Sequence, residues 1–379
     1  MEELSLFDYM SNEDKEKYKK KKSTDWKWTF ADYPKEKNGL KVFSCFACGG
    51  GSTMGYKLAG CEVVGCVEID PKMNEIYVKN HHPKYSFCMD LREFNKIPEE
   101  DLPEELFHLD ILDGSPPCTT FSMAGDREES WGKLKKFREG QAEQTLDDLA
   151  FVFIETAKKL KPKVIIMENV EGLLLGEAFS YVRRIYSDLK AAGYRTHHWL
   201  LKGERMGVPQ TRHRVFFVSV REDLGIDPMM LDMGFDYEPV TYKQIKTGQL
   251  RKLKEDSVFY KVAIQAKPGD KCIADTRERL GEKGSAFQTF YLDQEKVIPT
   301  IRASPDMIDL DDMAYISKES LINAQTFPQD YDFGEKTYSS VGYICGMSVP
   351  PVMMKRVVQR LIDQGVFAYK DEAREWRQA

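Results

Sequence analysis

The sequence has no apolar run approaching the roughly 18 residues that a membrane span needs. Its first residues are acidic and charged rather than basic and then apolar, so no export signal is expected. These absences predict a cytoplasmic protein without a membrane partner. It also lacks internal repeats and low-complexity tracts. Its 8 cysteines are scattered rather than framed, as suits a reducing compartment. Cys45 and Cys48 form a C-x-x-C, but no second Cys or His pair at zinc-ligand spacing accompanies it, so no metal is expected. Nor is there an excess of positive charge. With 55 Lys+Arg against 61 Asp+Glu the formal net charge is -6, which argues against a nonspecific nucleic-acid coat. The distribution is uneven: residues 241–302 hold 13 Lys/Arg and 8 Asp/Glu, which suits either a polyanion-facing segment or a solvated mixed-charge face.

What is present is enough chain, 379 residues with 42% hydrophobic content, for two or three globular domains. Short apolar or β-branched runs at Lys41 to Phe46, Glu62 to Glu68, Phe107 to Leu112, Lys163 to Met167, Thr196 to Leu201 and Val215 to Val220 read as strands. Helical segments separate them. Leu146, Leu149, Ala150, Phe153, Ala157 and Leu160 form one apolar stripe, and Pro162 follows it. The alternation predicts an α/β fold, a doubly wound and mostly parallel sheet covered on both faces. After Val220 the periodicity stops, as expected of a smaller irregular domain. It returns at Pro350-Pro351, where proline opens a helix with Met353, Met354, Val357, Val358, Leu361 and Ile362 on its apolar face, and Gly365 ends it. The expected organisation is an extension over 1–38 that docks by Trp26, Trp28 and Phe30, a catalytic domain over 39–226, a smaller domain over 227–336, and a segment over 337–379 that completes the catalytic domain.

Three segments carry chemistry. Pro116-Pro117-Cys118 ends an apolar strand and holds a thiol on a rigid turn. Met167-Glu168-Asn169-Val170 ends a second strand, and Gln210-Thr211-Arg212-His213-Arg214 leads into a third. Taken singly, such a cysteine is more often a buried small hydrophobe, the glutamate a surface carboxylate and the arginines an ion-paired couple. Together at strand ends they supply a nucleophile, an acid and cationic clamps. Gly49, Gly50 and Gly51, with Gly55 beyond, allow a tight strand-to-helix turn. Glu68, 17 residues after Gly51, can accept hydrogen bonds from both hydroxyls of an adenosine ribose. That spacing suits NAD as well, although a nicotinamide cofactor gives Pro117-Cys118 and Glu168-Asn169 no role.

From about Leu40 onward, the order of these motifs behind Phe46-Ala47-Cys48-Gly49-Gly50-Gly51-Ser52-Thr53-Met54-Gly55 resembles the DNA (cytosine-5) methyltransferase family. The resemblance implies a Rossmann-like fold dependent on S-adenosylmethionine, with S-adenosylhomocysteine as product, and a target-recognition domain over 227–336. The cofactor would meet Phe46, Gly49, Gly50, Gly51, Glu68, Ile69 and Asp90, with Ser348 and Val349 from the late motif Gly346-Met347-Ser348-Val349-Pro350. Met347 stands where the family has Asn and is not carried over; Ser44 and Cys48 stand where it usually has Asp and Gly. Cys118 would add to C6 of a flipped-out cytosine, Glu168 would serve N3, Asn169 would orient the Glu168 and Pro117 region, and Arg212 and Arg214 would clamp the base and a phosphate. In the recognition region Phe287 to Phe290 and Pro299 to Ser304 resemble the family framework, and Leu321 to Pro328 resembles a structural motif of the same small domain, with Thr300 and Arg302 as candidate DNA contacts. The expected partner is double-stranded DNA and the expected state a monomer; a cognate restriction endonuclease is not inferable from these residues. The alternatives are the tRNA-methylating branch of the same fold and a DNA-binding regulator without catalysis. Thr119 to Gly125 looks like the bacterial DNA enzymes, and Cys118, Glu168 and Arg214 are intact.

Overall fold

The computed structural model describes residues 20–117, 148–284 and 289–368. Cys118, Leu146, Phe287 and Gln288 lie outside them. The first half alternates as its periodicity predicts: β1 (Lys41–Cys45), α1 (Gly51–Leu58), β2 (Glu62–Val67), α2 (Pro71–His81), β3 (Tyr85–Phe87), α3 (Leu91–Lys96), β4 (Ile111–Gly114), α4 (Leu149–Leu160), β5 (Val164–Val170), α5 (Phe179–Ala191), β6 (Tyr194–Lys202) and β7 (His213–Arg221). One expected strand moves. Phe107 closes a 3-10 turn over Glu104–Phe107, and strand pairing begins only at Ile111. Pro103 stands at the N-cap of that turn, where its fixed φ and missing N–H suit a turn entry. The three-residue β3 carries too short an alternation to be read from sequence.

These strands form one seven-stranded sheet in the order β3-β2-β1-β4-β5-β7-β6. The pairs from β3 through β5 are parallel, whereas β7 runs antiparallel to both β5 and β6. Alternation along each strand divides its side chains between two cores. Phe43, Leu112, Ile165 and Met167 face a layer with Phe94, Phe153 and Ile185, from α3, α4 and α5. Val42, Ile111, Val164 and Ile166 face the opposite layer with Tyr56 of α1. The strand order reverses between the parallel neighbours β1 and β4, the switch point at which ligands bind outside the carboxyl ends of α/β strands.

A second unit contributes α6 (Tyr242–Ile245), β8 (Arg251–Lys252), α7 (Val258–Ala263), α8 (Ile273–Leu280), β9 (Phe290–Leu292), β10 (Met307–Asp309), β11 (Ala314–Tyr315) and α9 (Lys318–Ala324). Its four short strands pair in the order β8-β11-β10-β9. The chain then returns as α10 (Tyr338–Met347) and α11 (Pro351–Asp363). Pro at N1 starts α11, and Gly365, at φ 74°, lies just beyond its end. Val352, Met353, Met354, Val357, Val358 and Leu361 of α11 are fully buried in the layer that α1 covers. Before β1, residues from Lys20 lie across both units. Lys21 bridges Tyr237, Asp25 pairs with Lys355 at 2.8 Å and Arg356 at 2.8 Å, and the buried Trp28 indole donates to the Thr326 carbonyl at 2.7 Å.

Candidate active site

The carboxyl ends of the parallel strands converge on a cavity of about 270 Å³. β1 leads into Phe46 and Cys48, β2 into Glu68 and Ile69, β3 into Met89 and Asp90, and β4 into Ser115, Pro116 and Pro117; β5 ends on Glu168, Asn169 and Val170. The antiparallel β7 enters from the same side and brings Arg212 and Arg214 to the wall, and Tyr343, Gly346 and Met347 of α10 close it. Sheet geometry therefore gathers residues spread from Phe46 to Met347.

At one end Glu68 is buried, and its carboxylate accepts from the Cys48 backbone N–H at 2.7 Å and the Asp70 N–H at 2.9 Å. Burial pushes its pKa up, opposed by those hydrogen bonds. Phe46 and Cys48 both adopt positive φ, 56° and 45°, to make this turn. Asp90 caps α3 by accepting from the Arg92 N–H at 2.8 Å and pairs with the Arg92 guanidinium at 3.1 Å. Met73, Met89 and Leu91 add apolar wall that the sequence did not single out, because an isolated apolar residue carries no motif.

The glycine turn packs closely against other parts of the chain. A Cβ at Gly51 would overlap the Val349 carbonyl oxygen, one at Gly50 the His81 ring, and one at Gly49 would stand 2.7 Å from Ile344 Cγ2. Close approach of the chain to itself thus accounts for all three. The Gly49 carbonyl accepts from Tyr331 at 2.7 Å and sits 3.1 Å from His81 Nε2, whose ring burial pushes down to a pKa of about 3. The neutral ring then donates from Nε2. Ser348 and Val349 are buried behind the turn, with the Ser348 carbonyl accepting from Gln325 at 2.7 Å, and the neighbouring Gly346 and Met347 reach the cavity wall instead.

At the other end Glu168 Oε1 meets Arg214 Nε at 2.9 Å, and both side chains are nearly withdrawn from solvent. Asn169 donates from Nδ2 to the Pro116 carbonyl at 3.3 Å, tying the end of β5 to the turn before Cys118. Arg212 is buried and donates to the Ile301 carbonyl at 3.3 Å and the Gly346 carbonyl at 3.2 Å. Burial, with Arg214 close by, pushes its pKa down to about 9. Its contacts make it a brace between β7, the second unit and α10. The adjoining Gln210 accepts from the Ile301 N–H at 3.1 Å, and the Thr300 hydroxyl donates to the Thr211 carbonyl at 2.6 Å. Thr300 therefore pins the two motifs to each other. Arg302 lies over the Phe290 ring, 5.6 Å from its centroid, and its buried Nη1 has no hydrogen-bond partner among the described residues.

The family model described as C-5 cytosine-specific DNA methylase matches residues 40–363. The type II methyltransferase M.FnuDI of Fusobacterium nucleatum is 28% identical over 365 residues, which cover 86% of this chain and 96% of that protein. The orphan methyltransferase M.Rho11sI of Bacillus phage rho11s is 28% identical over 310 residues, 80% of this chain and 56% of the relative. Among solved structures, a Spodoptera frugiperda DNMT2 mutant superposes with a TM-score of 0.59 at 15% identity, covering 86% of this chain and 100% of that one. At that identity the likeness is one of fold.

Proposed function

Because the chain belongs to the C-5 cytosine-specific DNA methylase family, we propose that it methylates C5 of a cytosine flipped out of duplex DNA, through a covalent bond between Cys118 and C6. The observation that carries the reading is that Pro117, Glu168, Asn169 and Arg214 share one cavity with Phe46, Glu68 and Asp90. Two halves of a group-transfer reaction thereby face each other. The residues fit an adenosyl group: an aromatic ring, an acid at a strand end and an apolar wall of Ile69, Met73 and Leu91. S-adenosylmethionine, when bound there, supplies an electrophilic methyl group on a sulfonium.

C5 of cytosine is a poor nucleophile until a thiolate adds at C6, and the pyrimidine must leave the duplex stack for that to occur. Pro116 and Pro117 fix the backbone immediately before Cys118, and Asn169 holds the Pro116 carbonyl. Addition pushes electron density toward N3, to which Glu168, ionised and paired with Arg214 in the free protein and protonated once the base is bound, delivers the proton. Arg214 fixes the Glu168 carboxyl in position through the 2.9 Å ion pair. Once C5 has taken the methyl group, loss of the C5 proton, return of the N3 proton to Glu168 and elimination of the Cys118 thiolate restore the aromatic ring and the free enzyme. Arg302, with a guanidinium nitrogen unpartnered among the described residues, is the proposed base reader, and Thr300 positions its segment.

The test is covalent trapping. DNA fragments made with 5-fluorocytosine in place of cytosine, incubated with the protein and S-adenosylmethionine, should give an adduct stable to denaturation, because fluorine cannot leave as the proton does. Cys118→Ser should give none. An adduct through another residue, or its persistence in the serine variant, overturns the assignment.

A further inference from the structure

Asp113 is a buried carboxylate that the proposed chemistry does not use. It lies on β4 and pairs in register with Ser44 of β1 and Ile166 of β5. Strand alternation puts Asp113 on the sheet face of Ile166 and Glu168, under α1. The surroundings there are apolar: Val42, Ile111, Ile166, Phe216 and Met354 are all fully buried. Into this layer Ser44 Oγ donates to one Asp113 oxygen at 2.7 Å, and the Tyr56 hydroxyl of α1 donates to the other at 3.1 Å. No cation is paired with Asp113 among the described residues.

A carboxyl in such a place costs stability unless its hydrogen bonds fix something. What these bonds connect is specific. Ser44 stands two residues before Phe46 of the cavity wall, Tyr56 is on the helix that follows the glycine turn, and Asp113 stands three residues before Pro116 and five before Cys118. We propose that Asp113 is a positioning residue that locks the catalytic turn after β4 to the cofactor side of the site, acting through Ser44 and Tyr56. The inference rests on the methyltransferase reading for its two ends. Its geometry adds a link that the motifs do not contain, because Ser44 and Asp113 are 69 residues apart and meet only through strand register.

Three variants test the link: Asp113→Asn, Asp113→Leu, and the triple exchange S44A/Y56F/D113L, which removes the carboxyl and both hydroxyls together. The readouts are the thermal unfolding midpoint, calorimetric affinity for S-adenosylmethionine without DNA, and single-turnover methyl transfer to bacterial genomic DNA lacking 5-methylcytosine. Asp113→Leu leaves two buried hydroxyls unpaired and should melt earlier, whereas the triple exchange should recover the wild-type midpoint. Methyl transfer should nevertheless stay at least about 10-fold slow in the triple variant, since misplacing a reacting group costs rate without costing fold. Its cofactor affinity should stay several-fold weak. A triple variant with wild-type transfer and affinity would show the cluster to be structural filling and overturn the proposal. If the wild type itself transfers no methyl group, the functional reading fails. The link is then decided by cofactor affinity alone, and full recovery in the triple variant overturns it.

Discussion

Glu168 and Arg214 show how much at the residue scale depends on one contact. Their charges meet at 2.9 Å in a nearly closed site, so truncating Arg214 to Ala leaves a buried carboxylate without its cation. A loss of about 3 to 5 kcal/mol in unfolding free energy is expected, read by denaturant titration. Glu168→Gln keeps the shape and loses the proton. Its single-turnover rate should fall by about 10²-fold or more while cofactor affinity holds, and an unchanged rate would remove Glu168 from the chemistry. Asp113 predicts a pH effect on stability. Burial raises its pKa to about 7, against the hydrogen bonds of Ser44, Tyr56 and Ser52 and with Glu168 adding to the rise; Cys45 and Tyr77 also lie within its field. A carboxyl whose folded pKa is raised favours folding below its ordinary range near pH 4 and loses that contribution as pH climbs to about 7. Relative to Asp113→Asn, the wild type should therefore lose unfolding free energy between pH 4 and pH 7 and change little above. A flat difference across that window would contradict the burial argument. Glu168 was legible in the sequence because it sits in a motif at a strand end. Asp113 was not, since its partners come from register rather than spacing.

At the scale of elements, the glycine turn and α11 form one construction. Gly51 opens α1 beneath the Val349 carbonyl, and a Cβ at Gly55 would stand 2.5 Å from Met354 Cβ. Gly51→Ala should cost about 1 to 3 kcal/mol by overpacking and weaken the cofactor site with it, because both lie on the same turn. Melting together with cofactor titration checks this, and a variant as stable as the wild type would separate turn from helix. The sequence announced the turn through its glycines and α11 through its proline and apolar stripe. It did not announce their contact, which requires knowing that the last helix returns to the first. Met347 is a similar case. It cannot make the hydrogen bonds of an amide, yet the end of α10 places it on the cavity wall.

Across the whole molecule, the segment from Lys20 to Tyr33 joins parts that the chain order keeps apart. Burial pushes the Asp25 carboxyl up, but the Arg356 and Lys355 charges together outweigh it and hold the group below its ordinary range. Trp28 is only 5% exposed and shares a core with Met73, Ile301, Phe327 and Ile344. Trp28→Ala should cost about 3 to 5 kcal/mol, measured by denaturant unfolding. The aromatics of this segment were visible in the sequence as a docking signal, whereas the place of docking depends on a surface made by several distant stretches. The alternating half of the fold was the most legible, since strand and helix periods are local. The second sheet was not, because its strands are two or three residues long and are fixed by packing.

Whether this chain writes 5-methylcytosine into DNA is tested most directly by expressing it in a host that lacks cytosine methylation and mapping modified bases across the genome. The wild type is expected to leave 5-methylcytosine at one recurring sequence, and Cys118→Ser none. Folded wild-type protein that leaves every cytosine of that genome unmodified, with the cofactor present, would contradict that expectation.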